Sequence, residues 1–559
     1  MPRSVLFTVL LAVAVVATTI VAAYSPRLHF GRPRHGFLNS RERLDNFQKK
    51  PFPCLSRNKC GYDHVTQRVD NFDSKNNATF LQRYQYNFDF YNNSGLVFFM
   101  LGGESAIGGG GEKWAFNEDV AYITWAKKHG AAVFQAEHRF FGTSRPKPDQ
   151  SMQSIVYLTI EQALADYAHF IDAMNAKYFA NVTQPKWLTF GGSYPGSLSA
   201  WFRASYPEKT IGAISTSSAV NVFTDYYGYV DNVGNNIKDT DKDCYAKIKD
   251  GFTRMQTLMF SADGRGKLNT IFNVCTGSGS LPTTKDVPMT PKISQNFFQN
   301  VYGVFQGVNQ YTYDNRGLSH LNITLEAMCD VVNNNTDSVQ AIAEVLIWDQ
   351  TFALSAGEKV SCLDNDYAGY INTYKNGTYG AQPDDDPTQE GRSWSWLTCT
   401  ALGYFQTTDG GNDGIFGSTV PADFFVDQCI DLFNGTYNAK FIDNAVLKYR
   451  KKYGGAHNYK GTKCVFPNGS YDPWKDLGLL AQDANEKNEV YTLWIEKGAH
   501  CSDMYPATKE DSTSLTAARM KIGHYVEQFI NEAHTKSSSK TLVSVALISV
   551  IAFLTTLFD

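Results

Sequence analysis

Residues 187–201 read Trp187-Leu188-Thr189-Phe190-Gly191-Gly192-Ser193-Tyr194-Pro195-Gly196-Ser197-Leu198-Ser199-Ala200-Trp201, and this stretch decides the fold. A short apolar strand runs into two glycines, then a serine, then the small-residue start of a helix, which is the sequence form of a nucleophile elbow. Such a turn must be tight enough to lift the serine oxygen above the sheet, and glycine removes the side chains that would collide there. A serine at a helix N-terminus also sets backbone N–H groups and a partial positive charge beside any negative charge developing on a substrate. The pattern departs from G-x-S-x-G, because Pro195 stands where the last glycine belongs and Gly196 comes one residue later. On these residues alone, a Gly/Ser turn that merely caps a helix remains a competing reading.

Outward from the elbow, strand-like and helix-like segments alternate. Leu96 to Leu101 is a continuous apolar run ending in Gly102-Gly103, Ala131 to Phe134 is a second behind Gly130, and Ile211 to Ser215 is a further short strand. Continuous runs of this length mark strands buried on both faces. Between Thr159 and Tyr178, Ile160, Leu164, Tyr167, Ile171 and Met174 recur at helical spacing and form one apolar face. The alternation predicts a mostly parallel sheet covered on both sides. After about residue 216 it fades into Asn- and Gly-rich patches, the acidic turn Asp384-Asp385-Asp386-Pro387 and five cysteines between 275 and 429, and regular strands return only with Val490 to Ile495. We therefore expect an α/β class fold with its core in two parts, 45–215 and 431–533, interrupted at 216–430 by a large, mainly helical, disulfide-braced insertion.

A nucleophilic serine needs a base, and in this type of fold the acid and then the histidine follow it in the chain. His500 closes Lys497-Gly498-Ala499-His500 directly after the strand Val490 to Ile495, where loops at a sheet edge carry catalytic groups. His524 and His534 lie in or beyond the last helix, and His457 sits in a Gly/Asn-rich loop. Asp472, in the turn-rich stretch Val465 to Trp474, precedes His500 by 28 residues, room for one helix and one strand. An ordinary Asp-Pro turn or helix cap is the alternative for Asp472. In the catalytic reading, Asp472 orients neutral His500, which takes the proton of Ser193 as it attacks a carbonyl. The oxyanion meets the Tyr194 N–H and a second N–H from Gly102-Gly103-Glu104, with Gly103 the donor.

The ends of the chain point to a compartment. Met1-Pro2-Arg3, the apolar run Val5 to Val21 and the small residues Val21-Ala22-Ala23 read as a signal peptide over 1–23. Ten cysteines without metal-type spacing favour disulfides, and sequons at Asn77, Asn92, Asn181, Asn322, Asn334, Asn376, Asn434 and Asn468 suggest a glycosylated surface. The hydrophobic tail 541–559 follows Lys536-Ser537-Ser538-Ser539-Lys540 and ends with Asp559, a charge arrangement that suits a removed lipid-anchor signal better than a permanent span. Either form tethers the protein to the extracellular face of a membrane, with the lysosome an open alternative. Net charge is only −4, and no basic stripe invites nucleic acid. The histidines do not cluster at ligand spacing, so no metal or organic cofactor is implied; whether the chain forms a homodimer is open.

Four stretches then combine: Glu137-His138-Arg139-Phe140-Phe141-Gly142-Thr143-Ser144, Gly191 to Arg203, Asn468-Gly469-Ser470-Tyr471-Asp472-Pro473-Trp474, and Gly498-Ala499-His500. Together they resemble the serine peptidases that include lysosomal prolyl carboxypeptidase, the lysosomal dipeptidyl aminopeptidase and thymus-specific serine protease, over roughly residues 45–530. The resemblance implies an α/β-hydrolase core with a large helical insertion and the triad Ser193, Asp472 and His500, reached above from the residues themselves. It implies peptide substrates cut near a terminus, often after proline, with Trp474 lining the pocket and Glu104 meeting a substrate amine. Each has a plain alternative: Trp474 as core, Glu104 as a helix cap, and Glu137 to Ser144 as a strand-to-loop junction rather than a support for the site. Trp396-Leu397-Thr398-Cys399 followed by Cys429 resembles a family disulfide, Cys399–Cys429. Pro195 and Ser197 depart from the prolyl carboxypeptidase pattern, so the chain looks closer to the thymus-specific branch. An esterase or lipase on the same fold, and a non-catalytic surface-binding protein, are the rival functions.

Overall fold

Two strands with alternating patterns, β1 (Cys60–Arg68) and β2 (Thr79–Asn87), begin the sheet and pair antiparallel. The continuous apolar runs follow as β3 (Leu96–Leu101), β4 (Ala132–Ala136), β5 (Lys186–Gly192) and β6 (Gly212–Thr216). Short strands β7 (Phe223–Asp225) and β8 (Gly403–Phe405) form a separate two-stranded sheet, and β9 (Cys464–Gly469) and β10 (Val490–Ile495) complete the large one. Its order is β1-β2-β4-β3-β5-β6-β9-β10, parallel from β4 to β10, with β1 and β2 the antiparallel margin. This is an α/β-hydrolase core. The computed structural model describes residues 24–25, 29–33, 37, 54, 58–313, 322–352, 359–410 and 414–555, with side chains described as far as 535. The expected signal peptide and the side chains of the tail 541–559 lie outside the described residues.

The apolar runs are continuous because both faces of the sheet are covered. Along β3, Val97, Phe99 and Leu101 face one cluster with Trp187 and Phe170, whereas Leu96, Phe98 and Met100 face another with Phe190, Ile522, Val526 and Phe529. That is the two-residue period of a strand, buried on each side. The helix Ile160–Tyr178 buries all five residues of its expected stripe and is capped by Thr159, whose hydroxyl accepts from the Gln162 N–H at 3.2 Å.

β9 is a strand where the sequence reads as turn-rich loop, since it contains Pro467 and Asn468. Proline removes a ladder donor. Pro467 is tolerated because the β6 ladder stops at Cys464 and Val465, and its carbonyl accepts from the Ser217 N–H at 2.8 Å. The same strand corrects the glycosylation reading. Asn468 is buried, with its amide donating to the Leu479 carbonyl at 2.7 Å, so a glycan has no room there. The other seven sequon asparagines are exposed.

Between β6 and β9 the described chain is mainly helical, from Gly228–Thr240 to Ala439–Tyr453. Three disulfides brace this stretch: Cys244–Cys329, Cys275–Cys362 and Cys399–Cys429, the last as the resemblance implied. A fourth, Cys54–Cys60, closes a short loop at the start of β1. An even count did not mean that all ten form disulfides, because Cys464 and Cys501 stay as buried thiols, and burial pushes the Cys464 thiol up to about 12. Among the described residues no helix is long and apolar enough to cross a membrane. Thiol titration of unreduced protein is expected to find two thiols per chain in denaturant and none in the native state.

Candidate active site

The sheet order reverses at β3, whose neighbours are β4 and β5, so the crevice beyond the carboxyl ends of β3 and β5 is where an open α/β sheet takes its ligand. Ser193 follows β5 and Gly102-Gly103-Glu104 follows β3. Ser193 sits at φ 61° and ψ −131°, between β5 and the helix Tyr194–Ser205. A non-glycine residue there is strained, and the strain lifts its side chain out of the sheet. Close approach explains the neighbouring glycines: a Cβ on Gly191 would lie 2.1 Å from the Pro195 carbonyl oxygen, and one on Gly196 2.7 Å from that of Thr216. Pro195 needs no N–H in the first helical turn and packs on Gly103, where a Cβ would come within 2.3 Å of its Cγ. Pro195 and Gly103 are thus neighbours across the crevice. Gly102 commits its N–H to the Ala136 carbonyl at 2.9 Å.

His500 and Asp472 come together from the loops that follow β10 and β9. Nδ1 of His500 lies 3.0 and 2.9 Å from the two oxygens of Asp472. Asp472 also accepts from the Trp474 N–H at 2.9 Å, so the Asp-Pro turn and the histidine contact coexist in one carboxylate. The His500 N–H donates to the Gln310 carbonyl at 3.0 Å, and Gly469 lets the end of β9 close on the histidine loop, a Cβ there falling 2.1 Å from the Gly498 carbonyl oxygen. Nε2 of His500 is buried without a hydrogen-bond partner. The residues beside the serine and the histidine abut: a Cβ on Gly192 would lie 3.0 Å from Cys501 Sγ, and the Cys501 N–H donates to Ser217 Oγ at 2.9 Å. Ser193, Asp472 and His500 are 5%, 0% and 1% exposed.

The loop after β4 underpins the serine side of the crevice. Glu137 accepts from Arg83 at 2.6 Å, from the Ile107 N–H at 3.1 Å and from the Ser144 N–H and hydroxyl at 3.0 and 2.7 Å. Arg139 makes a two-pronged pair with Asp166 at 2.7 Å for each contact. His138 reaches the Tyr194 hydroxyl at 3.2 Å, and burial pulls its imidazole down to about 4, so it stays neutral. Below the elbow, Thr216 receives the Ser193 N–H on its carbonyl at 3.0 Å and donates its hydroxyl to Asp503 at 2.9 Å. Burial raises Asp503 to about 6.

Trp474 stacks on Tyr226 with ring centroids 5.8 Å apart, meets Phe37 edge-on at 5.7 Å and donates its indole N–H to Gln310 at 3.0 Å. Glu104 caps no helix. It is 2% exposed, one oxygen accepts from the Phe37 N–H at 2.8 Å, and burial raises its carboxyl above the usual range. Three site residues escaped the sequence: Phe37, whose ring lies 5.5 Å from His500, and Glu390 and Trp394 on the helix Pro387–Leu397. Trp394 packs against Phe37 at 5.8 Å and Tyr194 at 5.5 Å. Their spacing of one helical turn was the available signal, but nothing in the local sequence tied that turn to Ser193.

Comparison with known proteins fits this geometry. The model of the serine carboxypeptidase S28 family matches residues 67–522, and the chain belongs to that family of serine peptidases. Among relatives, the Caenorhabditis elegans protein F56F10.1 is 40% identical, the match covering 84% of each chain. Mouse thymus-specific serine protease is 26% identical over 85% of this chain and 88% of its own, and human lysosomal Pro-X carboxypeptidase 24% over 85% and 90%.

Two variants test the supports. Asp166→Ala leaves Arg139 buried without its counter-charge and is expected to cost about 3–5 kcal/mol in denaturant unfolding. For Asp503, the ordinary value is 3.8 and the folded value about 6, so the folded state holds the proton more tightly between them. Its contribution to stability therefore falls as pH rises from about 4 to about 6 and stays low above. Asp503→Asn is expected to raise the melting temperature at pH 7.5 and to leave it unchanged near pH 4.

Proposed function

We propose that this chain is a serine-type exopeptidase that hydrolyses peptide bonds near a terminus through an acyl-enzyme, with Ser193 as nucleophile, His500 as base and Asp472 as its orienting acid. The observation that carries this reading is the Asp472–His500 contact. A buried carboxylate holds Nδ1 with both oxygens, which leaves Nε2, without a partner of its own, directed to other work. Neutral His500 removes the Ser193 proton as the oxygen attacks the carbonyl carbon, and the resulting imidazolium is stabilised by Asp472. The oxyanion is met by the N–H groups of Tyr194 and Gly103, which preorganised backbone supplies without reorganisation. His500 then protonates the leaving amine, and water, deprotonated by the same ring, releases the acyl group. Ser193 and His500 share no hydrogen bond here, a common state of a site without substrate.

Trp474, flanked by Tyr226 and Tyr404, is suited to line the pocket for the residue beside the scissile bond, proline among the candidates, and Glu104 to meet a substrate amine. The helical stretch 216–430 acts as a cap over the crevice. The 1–23 leader and four disulfides support a route through the secretory pathway, as do relatives whose names place them in lysosomes. Membrane tethering by the 541–559 tail rests on the sequence; ethanolamine on the C-terminal peptide is its test.

A fluorophosphonate is expected to label the protein on Ser193, and Ser193→Ala to abolish both labelling and peptide cleavage. Asp472→Asn is expected to lower kcat by about 10⁴-fold with the fold intact. A protein that cleaves short-chain esters but releases no terminal fragment from a peptide library is an esterase, and the reading fails.

A further inference from the structure

The catalytic groups are buried, and a residue of the chain's own N-terminal stretch, Phe37, lies against one of them. Phe37 lies against His500 and between Trp474 and Trp394, with its carbonyl accepting from the Tyr311 hydroxyl at 3.2 Å. Its N–H is held by Glu104 at 2.8 Å. Arg32, 1% exposed, forms a buried ion pair with Glu390 and donates to the Glu104 carbonyl at 2.8 Å. The helix Pro387–Leu397 supplies most of the berth: Glu390 for Arg32, Trp394 for Phe37 and for the Phe30 carbonyl at 3.0 Å, and Gly391 with Ser395 for His29 at 2.8 and 2.6 Å.

One carboxylate oxygen in this berth is unsatisfied. Oε1 of Glu104 takes the Phe37 amide, but Oε2 is buried and has no partner among the described residues. A main-chain amide offers one hydrogen and a terminal ammonium offers three. A peptide whose first residue took the place of Phe37 would satisfy both oxygens, and its positive charge would sit near Glu390, the other acidic side chain of the berth, once Arg32 had left. Burying two carboxylates beside each other is costly without a cation. In the intact chain Arg32 supplies it.

We propose that Glu104 and Glu390 form a subsite for the free α-ammonium of a peptide substrate, and that in the full chain Arg32 and Phe37 fill this subsite and the adjoining aromatic pocket as an internal inhibitor. The proposal rests on the serine peptidase reading and narrows it, since it directs the enzyme to amino termini rather than carboxyl termini.

The test uses the full secreted chain and its Arg32→Gln/Phe37→Ala double variant, with melting curves to confirm folding. Two rates are read: fluorophosphonate labelling of Ser193, and cleavage of one peptide with a free or an acetylated N-terminus. The double variant is expected to label at least tenfold faster than the unchanged chain and to prefer the free peptide at least tenfold in kcat/KM. Adding Glu104→Gln is expected to erase that preference. A synthetic peptide of residues 29–37 is expected to slow labelling of the double variant, and the same peptide with Gln at position 32 to slow it less. Arg32→Lys and Phe37→Leu, which keep charge and bulk, guard against a folding defect and should each give a smaller rise in labelling. A folded double variant that labels no faster overturns the internal inhibitor, and equal cleavage of free and acetylated peptides overturns the subsite, with the peptidase reading intact in both cases. Folded variants that never label on Ser193 overturn that reading and the proposal with it.

Discussion

A serine held at φ 61° and ψ −131° stays there only if its surroundings permit nothing else. Here the constraint is close packing of backbone against backbone. The strand leading into Ser193 and the helix leading out touch at Gly191 and Pro195, and the helix rests on Thr216 of the neighbouring strand at Gly196. Space for a single methyl group at either glycine is missing. The sheet below, with both faces buried, prevents the strands from parting to relieve the strain. Everything chemical about the crevice follows from that turn, because it fixes the hydroxyl, the first helical amide and the wall that Pro195 presents to Gly103.

The other half of the site is built from the far edge of the sheet. β9 and β10 each end in a loop that brings one polar group inward, Asp472 and His500, and the two loops close on each other at Gly469 and Gly498. Both side chains are fully enclosed, and Asp472 spends its oxygens on the His500 ring and on the Trp474 N–H. The support network centred on Glu137 and Arg139 does similar work for the β3 and β4 loops, with every charge matched to a partner.

The parts that were legible in the sequence are those in which local pattern and burial coincide. β3, β4, β5 and β6 are apolar runs because both their faces are covered, β10 is an apolar run at the edge of the sheet with Trp494 exposed, and the helix Ile160–Tyr178 shows its stripe because only one face is covered. β1 and β2 were missed because marginal strands in Gln-, Tyr- and Arg-rich sequence hide their alternation. β9 was read as loop because Pro467 and Asn468 break the expected propensity, although the β6 ladder ends at Val465, before Pro467, and only the β10 ladder runs on through both residues. Asn468 carried a sequon signal that burial overrules, and Cys464 and Cys501 a pairing signal that geometry does not use. The order and spacing of Ser193, Asp472 and His500 could be read because each follows a strand of the sheet. Phe37, Arg32 and Glu390 could not, since their meeting depends on chain segments more than 300 residues apart folding onto each other.

The distribution of sulfur has a consequence for how the protein ages in a changing environment. All three long-range bridges lie within the helical stretch between β6 and β9, and none ties that stretch to the sheet. A reducing milieu would therefore loosen the helical stretch at three bridges, while the sheet would lose only the short clasp Cys54–Cys60. The helical stretch and the sheet are thereby given unequal lifetimes by the placement of six sulfur atoms.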